Sequence, residues 1–479
     1  MKIAMVASES NPLVKSGGLA DVIYSLSREL VGMGHEVMIL IPYYKGVDAR
    51  LLKKPEYRGN YVFNMSWRDC CAEVFETNID GIRFVLVKND RYFGRDNLYG
   101  YFDDGERFAF FDMAVRGILP MLDFKPDIIH THDWQAAMMP VLIKTENKND
   151  PFYAKTKYVL TIHNPAFKGM LDPAALDNLY NLPYLLYKDG STEFEGRVST
   201  LKAGIVYSDK ITTVSPTHRD ELLTEEGSFG LSGVLKSREY DFCGFVNGID
   251  VAEFNPANDK MIAKEFSAKN TVSGKKENRA ALLKASFLED SGGPLFGLVS
   301  RLTFQKGIDL VYEIMPKLLQ QGAMLAVLGS GEYGLEQAFE DLRRRYPRQV
   351  SVYIGYSNKR AHEIYAASDY FLMPSSFEPC GIGQLIAQRY GTIPVVRKTG
   401  GLADTILPYS RKNADVATGI SFDDYDYGGI DYATNLAMEL YKDQKNFKAV
   451  RKNCLEKDNS WKKSAELYLG VYNELVDRI

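Results

Sequence analysis

The chain has 479 residues, of which 45% are apolar and 25% charged, with a formal net charge of −4 and a pI of about 6.0. This length predicts two or three domains of ordinary globular composition, each long enough to bury a large core. The mild acidity argues against non-specific nucleic-acid binding, and the lack of a long apolar stretch argues against a membrane span.

The N-terminus and the cysteines bear on the compartment. Met1 and Lys2 lead directly into an apolar run, so the sequence predicts no signal peptide. The cysteines are odd in number and lack the spacing of a metal site; they are Cys70, Cys71, Cys243, Cys380 and Cys454. We therefore expect reduced thiols and a cytoplasmic protein.

The apolar run at 3–7 predicts a first β-strand, and the stretch KSGGLADVI follows it at 15–23. Apolar residues then recur at helical spacing as far as Leu30. The paired glycines, Gly17 and Gly18, let a ligand approach the backbone closely, because neither has a Cβ. The first N–H groups of a helix attract anions, and Lys15 adds a positive charge. The stretch therefore predicts a binding site for phosphate or another oxyanion.

Up to residue 246, apolar strand-like runs alternate with helical patterns, which predicts a parallel sheet with helices on both faces. The turn-rich residues 43–105 predict an irregular or antiparallel insertion. Polar residues follow two of the strands, as the segment HTHDW at 130–134 and as His163. Ligands of open α/β sheets bind at the carboxyl ends of the strands. Both are therefore candidate site residues, although an ordinary turn histidine is the alternative for His163.

His130 and His132, together with Asp133, raise the question of a metal site. Their spacing at the end of a strand is not a recognised ligand set. We therefore predict that no metal binds there.

The second half of the chain begins its own series of buried strands after a predicted hinge at 243–250. The predicted strands are 295–299, 324–328, 351–354, 370–373 and 393–396. The tail, 460–479, predicts an amphipathic helix. The stretch KTGGLADTI at 398–406 repeats the first glycine motif at seven of nine positions. We interpret the repeat as two similar α/β halves that each present a glycine turn to a site.

Charged residues follow two strands of the second half. Arg301 and Lys306 flank a loop that opens onto a helix, where two cations suit a diphosphate. Glu378 follows another strand, where a carboxylate can bind sugar hydroxyls or balance developing positive charge. The alternatives are a solvated loop for the cations and a helix N-cap for the acid.

The stretch GSGEYG at 329–334 matches the G-x-G-x-x-G pattern of dinucleotide-binding folds. The strand predicted some 20 residues later does not end in an acidic residue, so the fingerprint is incomplete. An NAD-dependent oxidoreductase stays open as the alternative from another class of enzyme.

Taken together, these segments resemble the bacterial glycogen synthases, a family shared with plant starch synthases. The resemblance runs nearly end to end. It rests on residues 15–22, 132–134, 163–164, 201–216, 247–250, 300–307, 355–356, 377–381, 384–385, 390–391, 399–405 and 461–468.

The resemblance implies an α/β fold of the GT-B type, with two Rossmann-like doubly wound domains facing a deep cleft. The N-terminal domain would span 1–246 and be completed by a crossover helix at 458–479, and it would bind the acceptor. The C-terminal domain would span 247–457 and bind the nucleotide sugar.

The implied reaction transfers glucose from ADP-glucose to the non-reducing 4-hydroxyl of an α-1,4-glucan such as glycogen, with retention of configuration. The resemblance implies no metal and no cofactor, so protein cations must stabilise the departing diphosphate. It implies no nucleic-acid or membrane partner and leaves homo-oligomerisation open.

The resemblance also implies roles for individual residues. Glu378, His163, Arg301 and Lys306 would be catalytic. Tyr356 would stack on the nucleobase, and Asp133 and Asn247 would line the glucose or acceptor side. The other residues expected to bind substrate are Lys15, Gly17, Gly18, Asp21, Cys380, Gly381, Thr399, Gly400, Gly401 and Leu402.

Two positions depart from the family pattern. Many related enzymes carry a second glutamate eight residues after the first, but residue 386 is Ile, so the ribose must be held differently. Pro165 stands where Leu or Ile is more usual, and we expect only a local backbone effect. A transferase with another donor or acceptor, such as UDP-glucose, and a non-catalytic glucan-binding protein stay open as alternatives.

Overall fold

The computed structural model describes residues 1–48, 50–52 and 55–477. The chain forms two compact units: the first is Met1–Asn247 with Trp461–Ile479, and the second is Gly248–Ser460. The chain thus passes between units at 247/248 and 460/461, whereas the sequence predicted 246/247 and 457/458. The assignment of one unit to the acceptor and the other to the nucleotide sugar stays a prediction.

The first unit contains a nine-stranded sheet in the order β12-β11-β7-β6-β1-β2-β5-β4-β3. The strands of this unit are β1 Lys2–Val6, β2 Glu36–Pro42, β3 Glu56–Met65, β4 Arg68–Ile79, β5 Ile82–Lys88, β6 Ile128–His132, β7 Lys157–Ile162, β8 Met170–Leu171, β9 Glu193–Phe194, β10 Arg197–Ser199, β11 Lys210–Thr213 and β12 Phe242–Gly244. All pairs are parallel except those of β4, which runs antiparallel to β3 and β5. The antiparallel insertion expected within 43–105 is therefore present.

The helices of the first unit before residue 242 lie between its strands along the chain. They are α1 Gly18–Gly32, α2 Asp90–Phe93, α3 Asp104–Met121, α4 Met139–Glu146, α5 Ala175–Tyr180, α6 Leu185–Lys188, α7 Thr200–Tyr207, α8 Pro216–Leu222 and α9 Ser232–Ser237, with a 3-10 turn at Glu239–Asp241. The short strands β8, β9 and β10 form a separate antiparallel sheet. The central strands β1 and β2 are apolar and buried after their first residues, because a parallel sheet is covered on both faces.

The second unit is built on a six-stranded, fully parallel sheet in the order β15-β14-β13-β16-β17-β18. Its strands are β13 Leu295–Val299, β14 Met324–Gly329, β15 Val350–Ile354, β16 Tyr370–Met373, β17 Ile393–Arg397 and β18 Ile420–Phe422. Its helices are α10 Thr271–Ala285, α11 Ile308–Gln320, α12 Tyr333–Arg345, α13 Asn358–Ala367, α14 Gly383–Arg389, α15 Gly400–Thr405, α16 Tyr427–Lys442 and α17 Gln444–Glu456, with a 3-10 turn at Phe304–Lys306.

The last helix, α18 (Lys462–Asp477), returns to the first unit as the amphipathic tail predicted. Tyr468 and Tyr472 on its buried face pack against His130 at the end of β6. The Tyr472 hydroxyl lies 2.7 Å from His130 Nδ1, and His130 Nε2 lies 2.6 Å from the hydroxyl of Thr161. This buried contact fixes the tail to the strand that leads into Asp133.

Each sheet has a switch point, at which the chain turns from one side of a central strand to the other. In the first unit the chain continues from β1 to β2 on one side, and β6 lies on the other side; in the second unit β13 lies between β14 and β16. Ligands of open α/β sheets bind beyond the carboxyl ends of the strands at such switch points. The loops that follow β1 and β6, and those that follow β13 and β16, are therefore the places to look for a site. No helix in the described part of the chain combines the length and apolar composition of a membrane span.

Candidate active site

The first glycine turn is open to solvent. Gly17 caps the N-terminus of α1, and Lys15 through Gly18 are exposed. A Cβ added at Gly18 would meet no atom within 4 Å. The glycines are therefore not required by packing here, and the backbone N–H groups at the start of α1 are accessible to an anion.

Lys15 does not stand alone beside this turn. Its Nζ lies 2.7 Å from a carboxylate oxygen of Asp21, in the first turn of α1, and Asn11 donates a second hydrogen bond to Asp21. Two residues that the sequence predicted as separate ligand contacts are therefore partners of each other. Because the pair has no net charge, the attraction for an anion depends on the backbone of the turn and on any movement of Lys15.

Glu9 is a further candidate site residue, which the sequence did not predict. It follows β1, only 2% of it is exposed, and one of its carboxyl oxygens accepts the Ser16 N–H at 2.5 Å. Burial raises the pKa of Glu9 to about 7, and the charge of Asp21 acts in the same direction. The available signal was the polar pair Ser8–Glu9 directly after a buried strand, at the edge where ligands bind. Ser8 in turn shares a 2.7 Å hydrogen bond with the Tyr99 hydroxyl.

Asp133 lies in the loop after β6 in a left-handed conformation, with φ of 56°. Its Oδ1 accepts the backbone N–H groups of His163 at 2.7 Å and Asn164 at 3.2 Å, which ties the end of β6 to the end of β7. Burial raises the pKa of Asp133 to about 7, and the charge of Glu9 adds to this effect. The first unit thus holds two interacting buried carboxyl groups at its switch point.

His163 is turned toward the interior. Its Nε2 lies 3.0 Å from His132 Nδ1, and burial lowers the pKa of His163 to about 3. Burial also lowers the pKa of His130 to about 3 and that of His132 well below its usual range. A neutral imidazole that is bonded inward is a poor proton donor at neutral pH. Within the described residues, no group of three or more His, Cys, Asp or Glu side chains is placed to hold a metal ion.

Asn247 is buried at the point where the chain leaves the first unit. It follows Phe245, whose ring packs 5.0 Å from that of Tyr468 on α18. Its predicted role in lining the glucose or acceptor side stays a prediction.

The second unit brings two predicted catalytic residues into direct contact. Lys306, in the turn after β13, places its Nζ 2.5 Å from Glu378 Oε2, in the loop after β16. Glu378 is only 7% exposed and also accepts the Ser375 hydroxyl at 3.1 Å. Arg301 stands exposed on the same loop as Lys306, with one contact of 3.4 Å to Gln305. Two cations and one carboxylate thus lie at the switch point of this sheet.

The second glycine turn differs from the first in its surroundings. A Cβ at Gly400 would lie 2.0 Å from the carbonyl oxygen of Glu378, and one at Gly401 would lie 2.3 Å from that of Cys380. Gly401 N–H donates to the carbonyls of Glu378 and Pro379, at 3.2 and 3.1 Å. These glycines are therefore required for close packing against the backbone that carries Glu378.

This packing changes the expectation for residues 399–402. Thr399 caps α15, and its carbonyl accepts the Leu402 N–H at 3.0 Å. Because the N–H groups of Gly401 and Leu402 already have carbonyl partners, we do not expect these two residues to donate to a phosphate. Contacts of Thr399 and Gly400 with a ligand stay predictions.

Cys380 and Gly381 form the turn between Glu378 and α14. Gly381 has φ of 71°, which a side chain would disfavour. The Gln384 amide, buried within α14, donates to the carbonyls of Cys380 at 3.1 Å and Gly381 at 3.0 Å. The Gln384 side chain of α14 thus holds the turn in place, and Cys380 is buried within the turn.

Tyr356 lies beyond the carboxyl end of β15 and is 86% exposed. Tyr353, three residues earlier in β15, is 46% exposed. Exposed rings at the ligand edge of a sheet are suited to stacking on a base, because every base offers a π-face.

The G-x-G-x-x-G stretch has a structural explanation. A Cβ at Gly329 would lie 2.0 Å from the Ser300 carbonyl, and one at Gly331 would lie 2.3 Å from that of Leu302. The Glu336 carboxylate, in the first turn of α12, accepts the Gly331 N–H at 2.7 Å. A carboxylate therefore occupies the helix N-terminus that would receive a pyrophosphate in a dinucleotide site.

Comparison with known proteins identifies the family. Residues 2–237 match the family described as starch synthase catalytic domain, and residues 281–453 match glycosyl transferases group 1. A glycogen synthase of Clostridium perfringens is 44% identical over 99% of this chain and 98% of its own. The chain belongs to the glycogen and starch synthase family. A glycogen synthase of Bacillus cereus is 39% identical and covers 100% of both chains.

Solved structures agree with this assignment. The catalytic domain of starch synthase IV from Arabidopsis thaliana, bound to ADP and acarbose, superposes with a TM-score of 0.93 at 31% identity and covers 99% of both chains. A sucrose-phosphate synthase from Thermosynechococcus elongatus, at 14% identity and a TM-score of 0.60, shares the fold alone. As a member of the glycogen and starch synthase family, the chain has the GT-B fold and is a glycosyltransferase. The NAD-dependent oxidoreductase alternative is therefore wrong.

The two glycine turns predict opposite outcomes for the same substitution. Gly401→Ala places a Cβ against backbone atoms that cannot move aside, and we expect it to lower the free energy of unfolding of the second unit by about 1–3 kcal/mol. Gly18→Ala enters open space at the start of a helix, so stability should be unchanged or slightly higher, while nucleotide-sugar binding weakens. Chemical denaturation and calorimetric titration of both variants measure this. Equal loss of stability in the two variants would contradict the difference in packing.

Glu9 predicts a dependence of stability on pH. A carboxyl group whose folded pKa is raised from 4.5 to about 7 holds a proton that the unfolded chain lacks, so stability falls as pH rises between these values. Glu9→Gln keeps an oxygen that accepts the Ser16 N–H but removes the pH-dependent contribution of this carboxyl group to the free energy of unfolding. We expect the variant to gain about 3 kcal/mol relative to wild type between pH 4.5 and 7.5.

Denaturant unfolding at the two pH values measures the difference between variant and wild type. Glu146→Gln, at an exposed carboxylate of the same unit, is the matched control and should follow the wild-type profile. A difference between Glu9→Gln and wild type that does not change with pH would show that Glu9 is not a buried titrating group.

Proposed function

We propose that the chain transfers glucose from ADP-glucose to the non-reducing 4-hydroxyl of an α-1,4-glucan such as glycogen, retains the anomeric configuration and releases ADP. Two findings support this. Relatives that are 39%, 43% and 44% identical over nearly the whole of both chains are named glycogen synthases. The starch synthase structure that this chain resembles has ADP and acarbose bound.

The contact between Lys306 and Glu378 is the observation that carries the proposal. Departure of ADP places negative charge on the diphosphate oxygens, and preorganised cations in a shielded site lower the barrier to that step. Lys306 is held by a buried carboxylate, and Arg301 is free to fold onto a ligand from the same loop. One carboxylate against two cations gives the loops a net positive charge where the diphosphate would bind. Glu378 would hold the ammonium in place and face the donor glucose.

The first unit would supply groups of other kinds. The exposed turn at Gly17 and Gly18 offers backbone N–H groups to a phosphate or a sugar hydroxyl. Since the His163 imidazole is neutral and bonded inward, we propose that its backbone carbonyl, rather than its ring, faces the positive charge of the transition state. Asp133 and Asn247 would bind the glucose or the acceptor, and buried Glu9 is added to this set.

Tyr356 would stack on the adenine, supported by its exposure at the carboxyl end of β15. Stacking alone tolerates either base, and Ile386 replaces the glutamate that would hold the ribose. The preference for ADP-glucose over UDP-glucose is therefore the most specific part of the proposal.

A cytoplasmic location is also proposed, in keeping with the free thiols of Cys70, Cys71, Cys243 and Cys454. Light scattering of the purified chain would decide whether copies associate.

The donor is tested by incubating purified protein with glycogen and either ADP-glucose or UDP-glucose, and by measuring nucleotide release and glucan growth. We expect growth with ADP-glucose and at least tenfold less with UDP-glucose, a ratio that needs about 1.4 kcal/mol of discrimination. Equal or greater growth with UDP-glucose would leave the chemistry intact and contradict the base preference. Glucan binding without growth from either donor would indicate a non-catalytic binding protein.

Lys306→Ala tests the proposed role of the cation. We expect turnover to fall by a factor of about 10² to 10³, the usual effect of removing one electrostatic contact to a transition state, with glucan binding unchanged. Lys317→Ala is the matched control, because Lys317 forms an ion pair with Asp431 in the same unit but follows no strand. If both variants turn over like wild type, Lys306 does not act on the leaving group.

A further inference from the structure

The short distance between Lys306 and Glu378 poses a structural problem. The two residues lie in different loops, one after β13 and one after β16. Lys306 ends a three-residue 3-10 turn, and Glu378 belongs to no helix or strand. Nevertheless their charged atoms lie 2.5 Å apart. Something must hold the two loops in register, since a displacement of about 1 Å in a catalytic group can lower a rate by a factor of 10².

Part of the register comes from direct contact between the loops. Ser376 N–H donates to the Gln305 carbonyl at 2.9 Å, and the Ser376 hydroxyl donates to the same oxygen at 3.1 Å. The Gln305 amide donates in return to the Phe377 carbonyl at 3.4 Å. These contacts join residues next to Lys306 and Glu378, and they leave the outer sides of both loops to be held by other groups.

Arg397, the last residue of β17, holds the outer side of the Glu378 loop. Its Nη1 donates to the Ser376 carbonyl at 2.5 Å, and its Nε donates to the Asp423 carbonyl at 3.1 Å. A planar guanidinium can satisfy both carbonyls from fixed directions, which a lysine ammonium on a flexible stem does less well. Arg397 therefore connects the Glu378 loop to the segment that follows β18.

Tyr425, in that segment, holds the outer side of the Lys306 loop. Its hydroxyl donates to the Phe304 carbonyl at 2.8 Å, which also accepts the Gly307 N–H at 2.9 Å. The Tyr425 hydroxyl thus caps the 3-10 turn that carries Lys306. Burial and the nearby Asp309 carboxylate raise the pKa of Tyr425 to about 12, so the phenol keeps the proton that it donates.

The two side chains also meet each other, because the Arg397 guanidinium lies 5.6 Å from the centre of the Tyr425 ring. A closed ring of contacts results. It runs from Ser376 through Arg397 to Tyr425, from there to Phe304, and back to Ser376 through Gln305.

We propose that Arg397 and Tyr425 are positioning residues for the transfer reaction: by bracketing the two loops from outside, they keep Lys306 and Glu378 in the arrangement that stabilises the leaving diphosphate. The inference rests on the proposed function for its chemistry but on the ring of contacts for its geometry. Neither residue touches the reacting atoms in this account. Both act through the backbone of the loops.

The test uses the full chain with Tyr425→Phe, Arg397→Gln and Arg397→Lys. Tyr425→Phe removes one hydroxyl, and Tyr427→Phe, at a more exposed tyrosine two residues away, is its matched control. Arg411→Gln removes a guanidinium from an exposed ion pair of the same unit and is the control for Arg397. Each variant is assayed for transfer kinetics and for hydrogen–deuterium exchange of the peptide that spans 303–307.

We expect kcat to fall about fivefold in Tyr425→Phe and about tenfold or more in Arg397→Gln, with Arg397→Lys in between. The KM for the donor should stay within about twofold, because misplaced charges are felt mainly when the diphosphate departs. Exchange of the amides in 303–307 should quicken in Tyr425→Phe and stay at the wild-type rate in Tyr427→Phe. The double variant should lose less than the product of the single losses, since both act on one ring.

Three results would overturn the proposed positioning role of Arg397 and Tyr425. They are unchanged exchange in Tyr425→Phe, kcat values equal to those of the controls, and a loss confined to KM. A merely structural role would lower the amount of folded enzyme while leaving kcat per ADP-binding molecule unchanged. Wild-type protein that extends no glucan from ADP-glucose would contradict the proposed function instead. Hydrogen–deuterium exchange of residues 303–307 would then be the measurement that decides whether Arg397 and Tyr425 hold the two loops.

Discussion

The contact between the buried Glu378 carboxylate and the Lys306 ammonium constrains the two loops at the switch point of the second unit. Removing Glu378 and Lys306 from water costs several kcal/mol for each ion, and their attraction returns much of that only if the geometry is maintained. Well-packed apolar residues of similar volume would stabilise the unit at least as well. The pair therefore contributes little to folding, and its presence at the switch point of the sheet is better explained by chemistry that needs a fixed cation.

The first unit meets the opposite electrostatic situation. Burial raises the pKa of both Glu9 and Asp133, the charge of Glu9 adds to the effect on Asp133, and the nearby cation, Lys15, is bonded to Asp21. Their oxygens are satisfied mainly by backbone N–H groups of neighbouring loops. Carboxyl groups with pKa values near neutrality can accept hydrogen bonds from sugar hydroxyls or donate hydrogen bonds to them, which suits the proposed role of this unit in binding glucose or a glucan.

The repeated glycine motif shows how context decides the role of a sequence. In the first copy the glycines face open space, so packing does not exclude a side chain, and close approach of a ligand is the reason that we propose for them. In the second copy the same residue types lie against the carbonyls of Glu378 and Cys380, so the fold itself excludes a side chain. Two nine-residue stretches that are identical at seven positions therefore form one accessible turn and one closely packed turn.

Local pattern in the chain was enough to predict most of the buried strands, the helices between them, the two-unit α/β organisation and the edge where polar residues gather, but it did not predict β5 or β18 as buried strands. Those features follow from apolar periodicity and from the direction of parallel strands, both of which act over short stretches. The sequence did not reveal the pairing of Lys15 with Asp21, the burial of Glu9, or the contacts by which Arg397 and Tyr425 hold the two loops. Only the tertiary structure decided these, because each depends on which distant loops come within hydrogen-bond distance, and that is set by the packing of whole strands and helices.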